Sequence, residues 1–299
     1  MRNKFSEIVH KNMKKNKNIF VVAADISPSG AMAKFQNTNS NFINVGVAEQ
    51  NMIGVCAGLA MSGKKVFAYT IAPFALYRPF EMVRDDLCYQ NLPVTIVGMS
   101  AGTIYANLGG THTAIEDIAI ARSLPNMQVL SPCDPLELEA CVNFCCKKSK
   151  YPTYLRIGKT GEKNLTENCK EKWKFGKIRK ISNGKDICIL AHGPITSECF
   201  KLKKMSNKNI SIYSCSTLKP FDKNNLKKIF RKYKKIITLE DHSTIGGLSE
   251  IVKSLAFAEK YSGVLKTNSL KDEFIPIYSS QKDLLEAHNI SLNNLLKQI

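Results

Sequence analysis

The sequence lacks the features that mark membrane and secreted proteins. No apolar run reaches the length that a membrane-spanning helix needs, and the polar, basic residues 1–17 contain no hydrophobic stretch of a signal peptide. Internal repeats and low-complexity segments are also missing. We therefore expect a globular, cytoplasmic protein without a membrane partner.

The ten cysteines lack any metal-binding or redox spacing. No CxxC pair and no zinc-type arrangement with histidine occurs. Cys56, Cys188 and Cys215 lie inside apolar segments, where a reduced thiol packs as a small hydrophobic group. We expect reduced, structural cysteines and no metal site in this chain.

Acidic residues are scarce beside basic ones, 25 against 43, which gives a formal net charge of +18. The basic residues are scattered, and no nucleic-acid-binding motif or row of aromatic residues accompanies them. We expect no nucleic-acid partner and a mild preference for anionic, phosphorylated small ligands. A basic nucleic-acid-binding module is the competing class, and salt-sensitive binding to random DNA would support it.

Apolar segments of strand length alternate with helical segments along the chain. Strands that are apolar throughout indicate parallel sheets covered by helices on both faces. The 299 residues suffice for two such α/β domains. The predicted boundaries are a first domain at 1–160, a charged linker at 161–184 and a second domain at 185–299. We also predict a helix opened by a capping box of Thr113 and Glu116, and a single C-terminal helix over 281–298.

Polar side chains, Asp25, Glu49 and Ser100 among them, follow the predicted strands of the first domain. Because the carboxyl ends of parallel strands meet at one edge, the ligand crevice of such a sheet lies there. Glu49 stands where a buried strand becomes a helix whose Gly54 and Gly58 would let another backbone approach closely. Burial there favours the neutral, proton-sharing form of a carboxyl group. The alternative is an ordinary first-turn glutamate, favoured by the helix dipole.

Six ordered segments resemble the C-terminal half of the transketolase family, and the likeness covers nearly the whole chain, most strongly 19–158. They are ADISPSG (24–30), VGVAEQNMIGVCAGLAMSGK (45–64), TIAPFALYRPFEMVR (70–84), LGGTHTAIEDIAIARSLPNMQVLSPCDP (108–135), YLRIG (154–158) and LEDHSTIGGLSEIV (239–252). The match is closest to split transketolases, in which this half is a separate polypeptide.

The resemblance implies an enzyme that transfers a two-carbon ketol unit between phosphorylated sugars. The family binds thiamine diphosphate at a subunit interface, between a pyrimidine-binding domain and a pyrophosphate-binding domain. This chain resembles the pyrimidine domain and the C-terminal domain, and it contains no GDG…NN signature of the pyrophosphate domain. An N-terminal partner subunit is therefore implied to hold Mg²⁺ and the diphosphate, in an α2β2 assembly with a two-fold interface.

Carried over to this sequence, the family pattern gives Glu49 the role of activating the cofactor through its pyrimidine nitrogen. Phe74 and Tyr77 match aromatic residues of the pyrimidine slot, although an aromatic pair three apart is otherwise a core feature. Asp25 matches an aspartate on the thiazolium side, and its alternative is a turn-capping residue after a strand.

Substrate contacts are also implied. Ser29 and Arg156 match positions that hold the sugar phosphate, and Arg2 is a third candidate. For Arg156, a structural ion pair is the alternative. His112 matches a histidine that contacts the reacting hydroxyl groups and can move protons.

The chain departs from the family pattern at two substrate positions. Leu108 replaces the aspartate before GxTH, and Ser100 replaces a loop histidine. Both changes call ordinary pentose-phosphate specificity into question. His242 lies in a family-like EDH…GG segment, where we expect a structural histidine.

Three other functions compete with a split transketolase. One is the β subunit of a 2-oxo-acid dehydrogenase-type decarboxylase, which shares the two-domain plan. Another is an enzyme like deoxyxylulose-phosphate synthase. The third is a regulatory or scaffolding relic, which the joint presence of Glu49, His112 and Arg156 disfavours.

Overall fold

The computed structural model describes residues 1–26, Ala33 and 41–299, and these form two α/β units. Each unit is built on a mainly parallel sheet flanked by helices, so the predicted fold class is confirmed. Apolar periodicity explains the first element, because Phe5, Val9 and Met13 recur at helical spacing and are all buried.

The first sheet contains six strands of the N-terminal half. They are β1 (Ile19–Ala23), β2 (Phe42–Asn44), β3 (Lys65–Ile71), β4 (Val94–Met99), β5 (Gln128–Leu130) and β6 (Thr153–Ile157). The helices around it are α1 (Arg2–Lys15), α2 (Glu49–Met61), α3 (Ala72–Leu76), α4 (Phe80–Met82), α5 (Asp117–Ser123) and α6 (Pro135–Lys147), with a π-helical turn at Val83–Tyr89 and a 3₁₀ turn at Ala106–Leu108. The strand order β5-β6-β4-β3-β1-β2 is parallel throughout, so all six carboxyl ends face one edge.

The second sheet follows in the C-terminal half, with the order β12-β11-β8-β9-β7. Its strands are β7 (Arg179–Ser182), β8 (Ile187–Ala191), β9 (Ile210–Ser214), β11 (Lys235–Ser243) and β12 (Val264–Leu270), while β10 (Thr217–Lys219) lies elsewhere. The helices are α7 (Thr196–Met205), α8 (Lys223–Lys232), α9 (Leu248–Ala258), α10 (Gln281–Ala287) and α11 (Leu292–Leu296). Only β7 runs antiparallel to its neighbour in this sheet.

Two features join the units more closely than the predicted linker at 161–184 suggests. Strand β10 leaves the second unit and pairs antiparallel with β5 at the edge of the first sheet. Strand β7 lies inside the predicted linker, where the buried Ile178 and Ile181 supply the apolar contacts that a charged linker would lack. Lysines around these residues conceal the strand pattern in the sequence.

Two predicted helices were wrong in detail. Helix α5 begins at Asp117, with Glu116 as its N-cap, and the Thr113 hydroxyl donates to the Gly110 carbonyl oxygen instead of forming a capping box. The C-terminal helix is interrupted between α10 and α11 by Asn289, whose φ of 65° is left-handed. A left-handed residue ends a helix, so one continuous helix cannot form there.

Candidate active site

Glu49 is buried at the start of α2, with 3% of its surface exposed. Its burial follows from the helix packing, because Ile53, Ala57 and Ala60 on α2 face the core. Nη1 of Arg78 donates to both carboxylate oxygens at 2.8 Å. The alternative of a solvated first-turn glutamate is therefore replaced by a buried carboxylate held by one cation.

Phe74 completes a three-part contact with this pair. The guanidinium carbon of Arg78 lies 4.3 Å from the centroid of the Phe74 ring, a cation–π arrangement. Phe74 lies on α3, directly after β3, and Arg78 follows that helix by one turn. Sequence reasoning missed Arg78, although the spacing of four between Phe74 and Arg78 is the signal that places two helical side chains together.

His112 lies on the other side of Phe74. The two rings meet edge to face with centroids 5.2 Å apart, and Tyr105 lies 6.3 Å from the imidazole in the same manner. The hydroxyl group of Thr111 is 2.9 Å from Nδ1 of His112. The structure thus brings together three residues selected from the sequence, Glu49, Phe74 and His112.

His112 belongs to a loop that follows β4. A pair of backbone hydrogen bonds between Gly102 and Ala114 closes the base of this loop. Ser100 precedes it, fully buried and with a left-handed φ of 56°, and its hydroxyl donates to Sδ of Met99 at 2.6 Å. Leu108 lies in the 3₁₀ turn of the loop and is 43% exposed.

Tyr77 packs beside the site rather than across its open face. Its hydroxyl donates to the Glu116 carboxylate at 2.7 Å, and its ring packs against a small buried cluster of alanines. Burial, Asp117 and Glu116 all raise the pKa of Tyr77. The role of Tyr77 as a cofactor wall stays a prediction.

Asp25 and Ser29 lie at the edge of the described region. Asp25 is exposed just after β1, has a left-handed φ of 43°, and donates its N–H to Oδ1 of Asn44. A non-glycine residue in this conformation is uncommon and often belongs to a functional site. Ser29 lies outside the described residues.

Arg156 is almost completely buried between the two units. Its Nε donates to the Asp117 carboxylate at 2.8 Å, and its Nη2 donates to the carbonyl oxygens of Asp241 at 2.7 Å and Ala114 at 3.4 Å. Burial lowers the pKa of Arg156, but Asp117 and Asp241 outweigh it and raise that pKa above the ordinary value. These are the contacts of the structural ion pair that the sequence left open, and the phosphate contact of Arg156 stays a prediction.

Lys159, three residues beyond Arg156, is a cation that sequence reasoning missed. Its Nζ lies 4.6 Å from the centroid of Tyr105, the ring that contacts His112. Its carbonyl oxygen accepts the backbone N–H of Arg2 at 2.8 Å. Burial raises the pKa of Tyr69 to about 12 against the opposing charge of Arg2. Arg2 and Lys159 therefore bring positive charge to the side of the site where His112 lies.

His242 is a buried histidine with both ring nitrogens in contact with backbone. Nδ1 lies 2.9 Å from the Ser243 carbonyl oxygen, and Nε2 lies 3.3 Å from the N–H of Ala119 in α5. Nδ1 must therefore carry the proton while Nε2 accepts. This neutral tautomer supports the structural role expected from the sequence.

Neither metal binding nor membrane insertion is indicated by the described residues. They contain no group of three or more His, Cys, Asp or Glu residues that could hold a metal ion. Within the same part of the chain, every helix is too short or too polar to cross a bilayer.

The contacts of Glu49 fit one end of thiamine diphosphate. The guanidinium of Arg78 is planar, donates N–H groups to a buried carboxylate and lies on an aromatic ring. An aminopyrimidine ring is also planar and can make both contacts, and Arg78, which is 43% exposed, has room to move aside. The residues present therefore fit the pyrimidine group.

Two family models cover the chain. The transketolase pyrimidine-binding domain matches residues 1–161, and the transketolase C-terminal domain matches residues 176–295. The chain belongs to the transketolase family. The recognition made from the six sequence segments is thereby confirmed.

Individual members of the transketolase family show the same relationship. One of the two subunits of the apulose-4-phosphate transketolase of Phocaeicola vulgatus is 33% identical over 84% of this chain and 81% of its own. A putative transketolase C-terminal section of Methanocaldococcus jannaschii is 34% identical over 92% and 87%. A solved split-gene transketolase, described as an inactive β4 tetramer, superposes with a TM-score of 0.87 at 32% identity over 99% of this chain and 96% of its own.

Proposed function

We propose that this chain is the C-terminal subunit of a two-component transketolase that transfers a two-carbon ketol unit between phosphorylated sugars in the cytoplasm. The observation that carries the proposal is the contact series from Glu49 through Arg78 and Phe74 to His112. It sets a buried carboxylate and an imidazole on opposite sides of one aromatic ring. The similarity to an apulose-4-phosphate transketolase favours sugar substrates over oxo acids.

Thiamine diphosphate, when bound, supplies the electron sink that breaks and forms the carbon–carbon bond. Glu49 holds and shares a proton at the pyrimidine nitrogen, a task that suits a buried carboxyl group. Phe74, with Tyr77 behind it, lines the slot, and Arg78 gives up its place on Glu49 to the pyrimidine. Asp25 faces the thiazolium side from the end of β1.

The loop after β4 contacts the sugar. His112 binds the reacting hydroxyl groups and moves their protons, and Leu108 and Ser100 shape the acceptor pocket. Leu108 cannot accept a hydrogen bond, so we propose an acceptor that is deoxygenated or substituted at the carbon facing it. An unpaired hydroxyl group there would cost about 1–3 kcal/mol.

Cations on the His112 side hold the phosphate group. We propose Lys159 and Arg2 for this contact, together with Ser29, because Lys159 reaches the ring beside His112. Arg156 is a weaker candidate, since its Nε and Nη2 donors are engaged with Asp117 and Asp241. The proposed phosphate contact thus moves three residues along the chain.

Other subunits complete the site. An N-terminal subunit holds Mg²⁺ and the diphosphate, and a second copy of this chain covers α2. The exposed face of α2 supports this, because a Cβ at Gly54 or Gly58 would meet nothing within 4 Å, while Val47 and Met61 at its ends are 71% and 68% exposed. A solved relative described as an inactive β4 tetramer is a self-associated subunit of this type.

Reconstitution tests the proposal. The purified chain is assayed with thiamine diphosphate, Mg²⁺ and a panel of ketose phosphates, alone and with a GDG-containing N-terminal transketolase subunit from the same genome. We expect turnover only in the mixture. Robust turnover by the chain alone, or none in a mixture shown to assemble, would overturn the proposal.

A further inference from the structure

The loop that carries His112 is held at its base by the other unit. The backbone pair between Gly102 and Ala114 closes the loop with N···O distances of 2.9 and 3.0 Å. Thr103, the first residue inside it, donates its N–H to both carboxylate oxygens of Asp241 at 3.1 Å and its hydroxyl to Oδ1 at 2.9 Å.

Asp241 joins further elements at the same point. It lies in β11 of the second sheet and is 4% exposed. Its carboxylate also accepts from Nε2 of Gln281 at 3.2 Å, and its carbonyl oxygen accepts from Nη2 of Arg156 at 2.7 Å. A single residue thus connects the loop base, β6 and α10.

The approach of Asp241 to the loop is close. Gly102 has a left-handed φ of 71°, and a Cβ there would lie 2.3 Å from Oδ2 of Asp241. Only glycine suits both the conformation and this distance. The loop base is therefore shaped around the carboxylate.

The neighbours of Asp241 make different connections. Glu240 accepts from the N–H groups of Leu248 and Ser249 at the start of α9, within the second unit. Between Leu239 and Ser243 the register of β11 against β12 shifts. Such an irregularity re-aims side chains, so consecutive residues need not alternate between the two faces.

We propose that Asp241 is a positioning residue for catalysis, which holds the loop of Leu108 and His112 against the Phe74 side of the site. This inference rests on the proposed function. A carboxylate suits the task because both of its oxygens accept, whereas an asparagine presents only one acceptor to Thr103 and Gln281. Releasing the loop misplaces His112 without touching Glu49.

The test compares Asp241→Asn with Asp222→Asn in the reconstituted two-subunit enzyme. Asp222 is a matched control, 5% exposed, whose carboxylate accepts from Ile178 and Asn225 within the second unit. We expect Asp241→Asn to lower kcat by about 10- to 100-fold, because displacing a reacting group by about 1 Å has effects of that size. Thiamine diphosphate affinity should be unchanged, and Asp222→Asn should keep normal kinetics.

A milder pair of variants serves if Asp241→Asn fails to fold. Thr103→Val removes the hydroxyl donor to Asp241, and Thr103→Ser restores it. We expect a lower kcat in the valine variant and near-normal kcat in the serine variant. Equal kinetics in the two would contradict the proposal.

Hydrogen exchange separates this inference from the proposed function. In the free chain, Asp241→Asn should speed amide exchange across 102–114, and Asp222→Asn should not. Unchanged exchange there, or a parallel loss of kcat, cofactor affinity and thermal stability, would overturn the positioning role. An inactive wild-type complex would refute the proposed function, while the exchange experiment would still decide the role of Asp241.

Discussion

One nitrogen of Arg78 binds both carboxylate oxygens of Glu49 at 2.8 Å. Glu49 is buried, whereas Arg78 is 43% exposed and lies on the Phe74 ring. A buried carboxylate needs a partner that satisfies its charge. In the free chain that partner is Arg78, and in our account the pyrimidine takes its place during catalysis.

A double-mutant cycle measures this pair. We expect Arg78→Met to destabilise the free chain by about 1–2 kcal/mol, because it leaves the Glu49 carboxylate without its cation. In a Glu49→Gln background the same change should cost less, since no buried charge remains. Urea unfolding of the four proteins gives the coupling energy. A coupling energy near zero would mean that the contact does not stabilise the chain.

Lys159→Met should weaken the use of phosphorylated sugars. Loss of a charge-assisted contact costs about 1.5–3 kcal/mol, which corresponds to about a 10- to 150-fold fall in kcat/KM. Non-phosphorylated donors should be little affected. The exposed Lys163 provides the control variant Lys163→Met. Equal losses with both kinds of sugar would argue against a phosphate contact.

Arg156→Met should act on folding. Removing one partner of a buried ion pair costs about 3–5 kcal/mol, and here it leaves Asp117 without its cation. Arg156→Lys should rescue little, because an ammonium group cannot reproduce the separate contacts of Nε and Nη2. Chemical denaturation checks both variants. A stable Arg156→Met protein that fails only with phosphorylated sugars would restore the phosphate role.

Stability should fall as the pH is lowered from about 7.5 to 5.5. Burial lowers the pKa of His192 below 6.5, so the unfolded chain takes up a proton that the folded chain refuses. His288 has the same sign. Unfolding midpoints across this range should show a smaller slope for His192→Gln than for the wild type. An unchanged slope would mean that His192 does not titrate on unfolding.

Glu240 adds a second, more acidic step. Burial opposes its ionisation, but hydrogen bonds from His192 and Ser249 and the proximity of His242 lower the pKa of Glu240 from 4.5 to about 2. Its contribution is present above pH 4.5 and is lost as the pH falls toward 2. Acid unfolding of Glu240→Gln should therefore lack a loss of stability that the wild type shows in this interval.

Local sequence signals were enough for much of the fold and part of the site. Fully apolar strands indicated the parallel sheets, and motif positions brought Glu49, Phe74 and His112 to one edge. Spacing along α3 could also have indicated Arg78. In each case the information lies within a few residues or in a family segment.

Long-range contacts could not be predicted in this way. Arg156 pairs with Asp117, 39 positions away, and its other donor reaches Asp241 across the two units. Strand β10 joins the first sheet from the second half of the chain. Periodicity and spacing carry no information on such partners, so a buried ion pair resembled a phosphate site.

The most direct test of the account is Glu49→Gln in the reconstituted enzyme, with Glu81→Gln as an exposed control on the neighbouring helix α4. The amide fills the same space but cannot hold or share the proton. Single-turnover rates should fall by about 10²- to 10⁴-fold, while circular dichroism and subunit assembly stay unchanged and the control remains active. A loss below about tenfold, worth about 1.4 kcal/mol of barrier, would show that another group activates the cofactor.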